Sequence, residues 1–314
     1  MVMNPKSGEV LALVSTPSYN SMDFVLGMSQ ETWDALNNDP NKPMYNRVRE
    51  TWAPGSSFKP IVGAVGLTTG AFTEEEDLGA SGLAWQKDES WGNYKVTTLH
   101  EYSGGAVLKN ALIYSDNIYF AKAALKIGAE TFTGELDKMG FNQEIPFDLA
   151  VKKSRFELTQ NSDKSEIPQT VIGQGNTLMT PFHNALLMCA VANEGTLMKP
   201  YVVDHVEGAD GTTVKETIPE IYADLMSEKD AKKLQKMLRE VVTSGTGYNL
   251  DTDLYTAAGK TGTAENEGKY AHAWFVGYSN VEDPDLVVCV LVENVGAGSK
   301  YAVPIAKKVF DAYW

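Results

Sequence analysis

Cysteine is nearly missing from this chain of 314 residues, which has only Cys189 and Cys289. Two cysteines can close at most one disulfide, so the fold is no disulfide scaffold and must rest on a hydrophobic core. Both lie in apolar runs, Leu186-Leu187-Met188-Cys189-Ala190 and Val287-Val288-Cys289-Val290, which favours two buried free thiols over a bridge. Histidine is scarce too. His100, His183, His205 and His272 have no metal-ligand spacing, so neither a metal nor another cofactor is expected. No apolar run is long enough to span a bilayer, and no signal peptide is present. Basic residues are outnumbered 27 to 41 by acidic ones, giving a net charge of −14. A chain this acidic is a poor partner for nucleic acid or an anionic membrane surface. There are no internal repeats and no low-complexity tracts.

What is present is a globular composition, 43% hydrophobic and 22% charged, long enough for one large domain or two small ones. The chain opens at Met1-Val2-Met3-Asn4-Pro5-Lys6-Ser7-Gly8, already inside a strand and a turn, so further sequence is expected upstream. A second strand is expected over residues 9 to 14. A short helix around residues 30 to 36 and one from Ser56 to about Leu67 follow, with Pro60 in or just past the first turn of the latter. Residues 105 to 128 read as two helices broken near Ser115. Further helices are expected over residues 131 to 139, after Thr180-Pro181, and after the capping box at Ser227. A hairpin is expected to turn at Asp210-Gly211. Strands over residues 255 to 265, 271 to 279 and 286 to 293 and a helix from Tyr301 close the chain.

Strands at both ends with helices between predict an α+β fold. An antiparallel sheet flanked by helices would come from about 1–66 and 227–314, with an inserted, mainly helical subdomain over about 67–226. A cleft between the two parts would hold Ser56, Ser115 and Lys260.

Those three residues carry the chemistry. In Pro54-Gly55-Ser56-Ser57-Phe58-Lys59 a serine precedes a lysine by three positions, one helical turn. A serine hydroxyl needs a base within reach to become a nucleophile, and a lysine that has lost its proton can serve. Alone, the tetrad is a common helix start with a solvated lysine. Ser115-Asp116-Asn117 alone is a common helix break with an N-cap. Gly259-Lys260-Thr261 alone has the look of a phosphate-loop tail, but that motif needs a glycine five positions before Gly259, and position 254 is Leu254.

Taken together and in this order, Ser-x-x-Lys, Ser-Asp-Asn and Lys-Thr-Gly resemble the signature of penicillin-binding proteins and class A β-lactamases. Nearly the whole chain resembles the transpeptidase domain of class B penicillin-binding proteins. The resemblance extends to Met3-Asn4-Pro5-Lys6-Ser7-Gly8-Glu9, Asn46-Arg47, Ile172-Gly173-Gln174-Gly175, Thr180-Pro181 and His272-Ala273-Trp274-Phe275-Val276-Gly277-Tyr278. The Ser-Asp-Asn form is most similar to a Gram-positive branch that includes low-affinity, resistance-associated enzymes.

The resemblance implies a reaction and a set of roles. A serine attacks the D-Ala-D-Ala bond of a peptidoglycan stem peptide, and the acyl group then passes to an amine on a neighbouring stem. β-Lactam antibiotics mimic the dipeptide. By resemblance Ser56 is the nucleophile, Lys59 the general base and Ser115 the proton relay. Asn117 would bind the substrate amide and position Lys59. Lys260 would supply positive charge for the substrate carboxylate, and Thr261 and Thr263 would bond it. Gly262 would let substrate lie against the strand edge, and the backbone N–H groups of Ser56 and Thr263 would form the oxyanion hole. It also implies a membrane anchor and pedestal upstream, a place on the extracytoplasmic face of the cell membrane, and a glycan polymerase as a partner.

The alternatives within this chemistry are a serine β-lactamase and a D,D-carboxypeptidase, and outside it a non-catalytic β-lactam sensor. A β-lactamase needs a deacylating base, which Arg155-Phe156-Glu157 and Asn161 echo only loosely.

Overall fold

The computed structural model describes residues 1–158 and 166–314. Strands β1 (Val2–Met3) and β2 (Val10–Ala12) flank the expected Asn-Pro-Lys-Ser-Gly turn. A separate two-stranded ribbon is made by β3 (Ala84–Trp85) and β4 (Val96–Thr97). Strands β5 (Ala257–Asn266), β6 (Lys269–Ser279) and β7 (Leu286–Val292) come from the end of the chain. The main sheet runs β2-β1-β7-β6-β5, antiparallel throughout. The two chain ends thus share one sheet, and β5, which carries Lys260-Thr261-Gly262, is an edge strand.

The helices that matter for the site are α1 (Lys59–Thr68), α2 (Leu108–Tyr114), α3 (Asn117–Ile127) and α4 (Ala129–Lys138). They are followed by α5 (Pro181–Ala192), α6 (Glu228–Ser244) and α7 (Val303–Tyr313). Side chains alternate across the sheet. Ala273 and Phe275 of β6 face a core with Val303, Ala306 and Phe310 of α7. Trp274, Val276 and Tyr278 face the other way, into the larger core that holds α5.

Helix α5 departs from the expected division. Its place in the sequence assigns it to the helical subdomain, yet it lies against β6 and β7 and is buried along its whole length. A helix apolar on every side can only sit between two layers. Helix α6 has the expected stripe, burying Ala231, Leu234, Leu238, Val241 and Val242, and its Ser227 cap accepts from the Asp230 N–H. It touches both α2 and β5, so one helix ties the Ser115 element to the Lys260 element. The hairpin pairs His205–Glu207 with Thr213–Glu216, and both cysteines are free and buried.

Candidate active site

The nucleophile turn is tighter than the sequence suggests. Gly55–Phe58 form a 3₁₀ turn, and the α-helix begins only at Lys59. In a 3₁₀ turn, side chains three apart eclipse, so Ser56 and Lys59 project from one face. The Lys59 N–H donates to the Ser56 carbonyl, closing that turn.

The turn is fixed from several sides. Gly55 sits at φ +54°, and a Cβ there would come within 2.6 Å of the Thr263 carbonyl oxygen. A Cβ on Gly262 would meet the Pro54 carbonyl at 2.7 Å and the Ser57 nitrogen at 3.0 Å. The space beside Gly262 is therefore taken by the nucleophile turn itself. The Gly55 N–H donates to the Gly173 carbonyl at 2.9 Å, and the Trp274 indole N–H donates to the Ala53 carbonyl at 3.0 Å. The Ser57 hydroxyl donates to the Pro54 carbonyl at 2.8 Å and accepts from Asn184 of α5 at 3.0 Å. Phe58 points the other way, into a cluster with Phe132, Phe141 and Phe156. Ser56 is half-buried, and among the described residues its hydroxyl has no hydrogen-bond partner.

Ser115 ends α2 in the left-handed region, φ 57° and ψ 45°, a conformation that costs a non-glycine residue about 1–2 kcal/mol. Asp116 then caps α3, accepting from the N–H groups of Ile118 and Tyr119. The break therefore holds both Ser115 and Asn117 against Lys59. The Lys59 ammonium nitrogen lies 2.7 Å from the Ser115 carbonyl, 2.6 Å from Asn117 Oδ1 and 3.1 Å from Ser115 Oγ. Lys260 Nζ reaches the same hydroxyl from β5, also at 3.1 Å, and Thr261 O at 3.3 Å.

Both lysines are fully buried. Lys59 is held well below the usual lysine range, first by burial and then by the charge of Lys260, with Asp116 opposing. Burial lowers Lys260 to about 7. A neutral amine has two N–H donors and one lone pair. The Ser115 and Asn117 carbonyl oxygens can only accept, so they consume both donors of a neutral Lys59. Its lone pair is left for a serine hydroxyl, the arrangement a general base needs.

The amide of Asn117 must be the right way round for this. Its Nδ2 donates to the Thr97 carbonyl of β4 at 2.9 Å, which turns Oδ1 toward Lys59. A flipped amide would present a donor to the lysine and take up its lone pair. The ribbon that supplies Thr97 is seated on α3 through Trp91, Val96, Ile118 and Ala121.

On β5 the threonine hydroxyls are already engaged. Thr261 Oγ1 lies 2.6 Å from Thr246 Oγ1, and Thr263 Oγ1 accepts from the Gly298 N–H at 3.2 Å. An accepting hydroxyl keeps its proton for a ligand, so Thr263, which is exposed, stays available as a donor.

The structure brings Ser56, Lys59, Ser115, Asn117, Lys260, Thr261, Gly262 and Thr263 together around the nucleophile turn and β5. It also brings in residues to which the sequence alone gave no site role. Asp116 is nearly buried and accepts from the Tyr102 hydroxyl at 2.8 Å. Gly173 lies behind Gly55, and its stretch, Ile172-Gly173-Gln174-Gly175, was a sequence signal without an assigned task. Thr246 stands between Gly245 and Gly247, just past the end of α6. Glu157 is exposed, and Asn161 lies outside the described residues. Among the described residues no cluster of metal ligands is found. The arrangement can activate one hydroxyl, bind an anion beside it and pass a proton through Ser115.

Comparison with known proteins gives the same picture. A family model described as the penicillin binding protein transpeptidase domain matches residues 1–311. The chain is 37% identical to Penicillin-binding protein 3 of Bacillus subtilis, over 99% of this chain and 47% of that protein. It is 32% identical to the Peptidoglycan D,D-transpeptidase MrdA of Haemophilus influenzae, over 100% of this chain and 52% of that one. The chain thus spans about half the length of these curated relatives. Among solved structures, a penicillin G acyl-enzyme complex of penicillin-binding protein A from M. tuberculosis superposes with a TM-score of 0.89. That match is 27% identical and covers 99% of this chain and 73% of the other.

Proposed function

Since the chain belongs to the penicillin-binding protein transpeptidase family, we propose that it is the catalytic domain of a peptidoglycan D,D-transpeptidase that works through a serine acyl-enzyme. One observation carries the reading: a buried lysine, Lys59, whose two possible N–H donations are taken by carbonyl oxygens and whose remaining lone pair is left for the Ser115 hydroxyl, 3.1 Å away.

Ser56 Oγ attacks the carbonyl carbon between the two D-alanines, and its proton passes to Lys59. The oxyanion is held by the backbone N–H groups of Ser56 and Thr263. The C–N bond then breaks, and the leaving amine takes a proton from Lys59 through Ser115. An amine from a second stem peptide attacks the ester, its proton returns by the same route, and Ser56 is restored. Lys260 faces the substrate carboxylate. A β-lactam opens its ring on Ser56 in the first step and keeps its amine tethered, so the acyl-enzyme persists.

Edge strand β5 suits a peptide that adds alongside it. Stem peptides and β-lactams are then the ligands. A glycan polymerase is the partner proposed for the whole protein, and the extracytoplasmic face of the membrane its place, where that substrate lies. No helix among the described residues is long and apolar enough to cross a membrane. Against a β-lactamase stands the exposure of Glu157, since a deacylating base must be held beside the ester.

The test is intact-mass spectrometry with benzylpenicillin over hours, beside Ser56→Ala. The expected result is one lasting adduct of drug mass, missing in the variant, with cross-linked product from a donor and an acceptor peptide. Rapid drug destruction without an adduct would make the chain a β-lactamase. A lasting adduct without any turnover of peptides would make it a sensor.

A further inference from the structure

Edge strand β5 continues past Thr263 to Ala264, Glu265 and Asn266. Side chains alternate across a strand, so Glu265 projects from the same face as Thr261 and Thr263. Exposure follows that pattern, with Thr263 and Glu265 exposed and Ala264 between them buried. The bulge at this end lies in β6, which has one residue more than β5 between the pairs His272–Ala264 and Lys269–Asn266. The alternation of β5 is therefore kept. Among the described residues Glu265 makes no ion pair and no hydrogen bond. Lys269, the cation nearest in register, stands opposite Asn266 and forms no ion pair among them either.

The strand thus has a cation at one end, Lys260, and a free carboxylate at the other, Glu265, about 17 Å further along. A donor peptide in the acyl-transfer geometry runs antiparallel to it. The peptide's terminal carboxylate lies at Lys260 and its scissile carbonyl at the Thr263 N–H. The chain on the N-terminal side of D-Ala-D-Ala then passes toward Glu265, about 7 Å beyond Thr263. Cross-linking consumes an amine of a second stem, so each stem carries such an amine before it reacts. D-Ala-D-Ala ends the peptide, so a donor's own amine lies on the N-terminal side of the dipeptide, the side of Glu265. The donor's charges, carboxylate at one end and ammonium at the other, match those of the strand.

Resting on the transpeptidase reading, we infer that Glu265 is a specificity-determining residue, which selects donor stems that carry an ammonium group on the N-terminal side of D-Ala-D-Ala. It takes no proton in the reaction and acts only by attraction across the strand edge. An exposed ion pair is weak and sensitive to salt, so its mark is a modest preference that salt removes.

The experiment follows release of D-alanine from two peptides that end in Lys-D-Ala-D-Ala, one with a free side-chain amine and one with that amine acetylated. The quantity read is the ratio of their kcat/KM values. At low salt wild type should favour the free amine about threefold, the worth of one exposed ion pair. Glu265→Gln, which keeps the shape of an exposed side chain and removes its charge, should bring the ratio close to one. High salt should do the same to wild type, a measurement that needs no variant. A ratio alike in wild type and Glu265→Gln overturns the assignment, whether or not both rates fall together. Failure of wild type to release D-alanine from either peptide overturns instead the transpeptidase reading on which it rests.

Discussion

Lys59 and Lys260 stand on opposite sides of one hydroxyl, that of Ser115, each 3.1 Å from its oxygen. Two buried amines this close cannot both keep a proton cheaply. Lys59 gives way first, because the charge of Lys260 adds to its burial. Ser115 then accepts from Lys260 and donates toward Lys59, so the relay has a direction. The cation that faces substrate and the base that activates Ser56 are made by the same repulsion.

Asn117→Asp tests the base. It places a carboxylate where the amide oxygen lies 2.6 Å from Lys59 Nζ. A negative charge there raises the lysine pKa, so the base stays protonated at neutral pH. The acylation rate at pH 7 should fall about a hundredfold or more, and the acidic limb of the pH–rate profile should move to higher pH. A loss of rate with the limb unmoved would show that Asn117 serves substrate binding alone.

Asp116→Asn should move the limb the other way. The Asp116 charge holds the Lys59 pKa up against burial and Lys260. Removing it lowers that pKa further, so the neutral base persists to lower pH. The limb should move to lower pH. Asparagine also caps helices well, so α3 should persist, with a stability loss of about 1 kcal/mol. A limb that stays in place would remove Asp116 from the electrostatics of the site.

Gly173→Ala probes the support of the nucleophile turn from a distance. Gly173 has φ +76°, and a Cβ there would lie 2.2 Å from the Gly55 carbonyl oxygen, with backbone on both sides of the clash. Something must move, and Gly55 precedes Ser56. Stability should drop by about 1–3 kcal/mol, and acylation about a hundredfold through displacement of the hydroxyl. Denaturant melts and acylation kinetics on the same preparation separate the two. Normal acylation at reduced stability would show that the turn holds its geometry without the glycine.

How far the sequence foretold this follows from the range of each interaction. The three motifs were legible because each is a short run of unusual residue types in a fixed order. The sheet was legible because apolar alternation sets a strand's faces locally. The 3₁₀ turn at Ser56 was not, since it depends on Gly55 meeting β5 about two hundred residues away. Neither was the burial of α5 against the sheet, because an apolar helix does not declare which layers enclose it. The Thr97 carbonyl leaves no mark at all in a sequence, since every residue has one. Thr246 left a faint one, a threonine between two glycines, which reads equally well as the end of a helix.

Lys260→Met should stabilise the protein while removing its activity, with a pH dependence fixed in sign. Lys260 is buried and its pKa is lowered from 10.5 to about 7. Above pH 10.5 neither the folded nor the unfolded state binds that proton, and burial of this amine adds no pH-dependent cost. As pH falls from 10.5 to about 7, the unfolded chain takes up a proton that the folded one lacks, and stability drops. Below about 7 the full penalty is in place. Its upper bound is about 5 kcal/mol, because each tenfold loss of proton affinity on folding costs about 1.36 kcal/mol. The hydrogen bonds Lys260 makes to Ser115 and Thr261 reduce it. Loss of the Lys260 charge also relieves Lys59, which acts in the same direction. The variant should therefore exceed wild type in unfolding free energy by a few kcal/mol at pH 7, with the gap closing toward pH 10. Urea titrations at the two pH values measure it. An equal gap at both would mean that Lys260 keeps its ordinary pKa in the folded protein, and that the repulsion lowering Lys59 is stronger than the pairing around Ser115 implies.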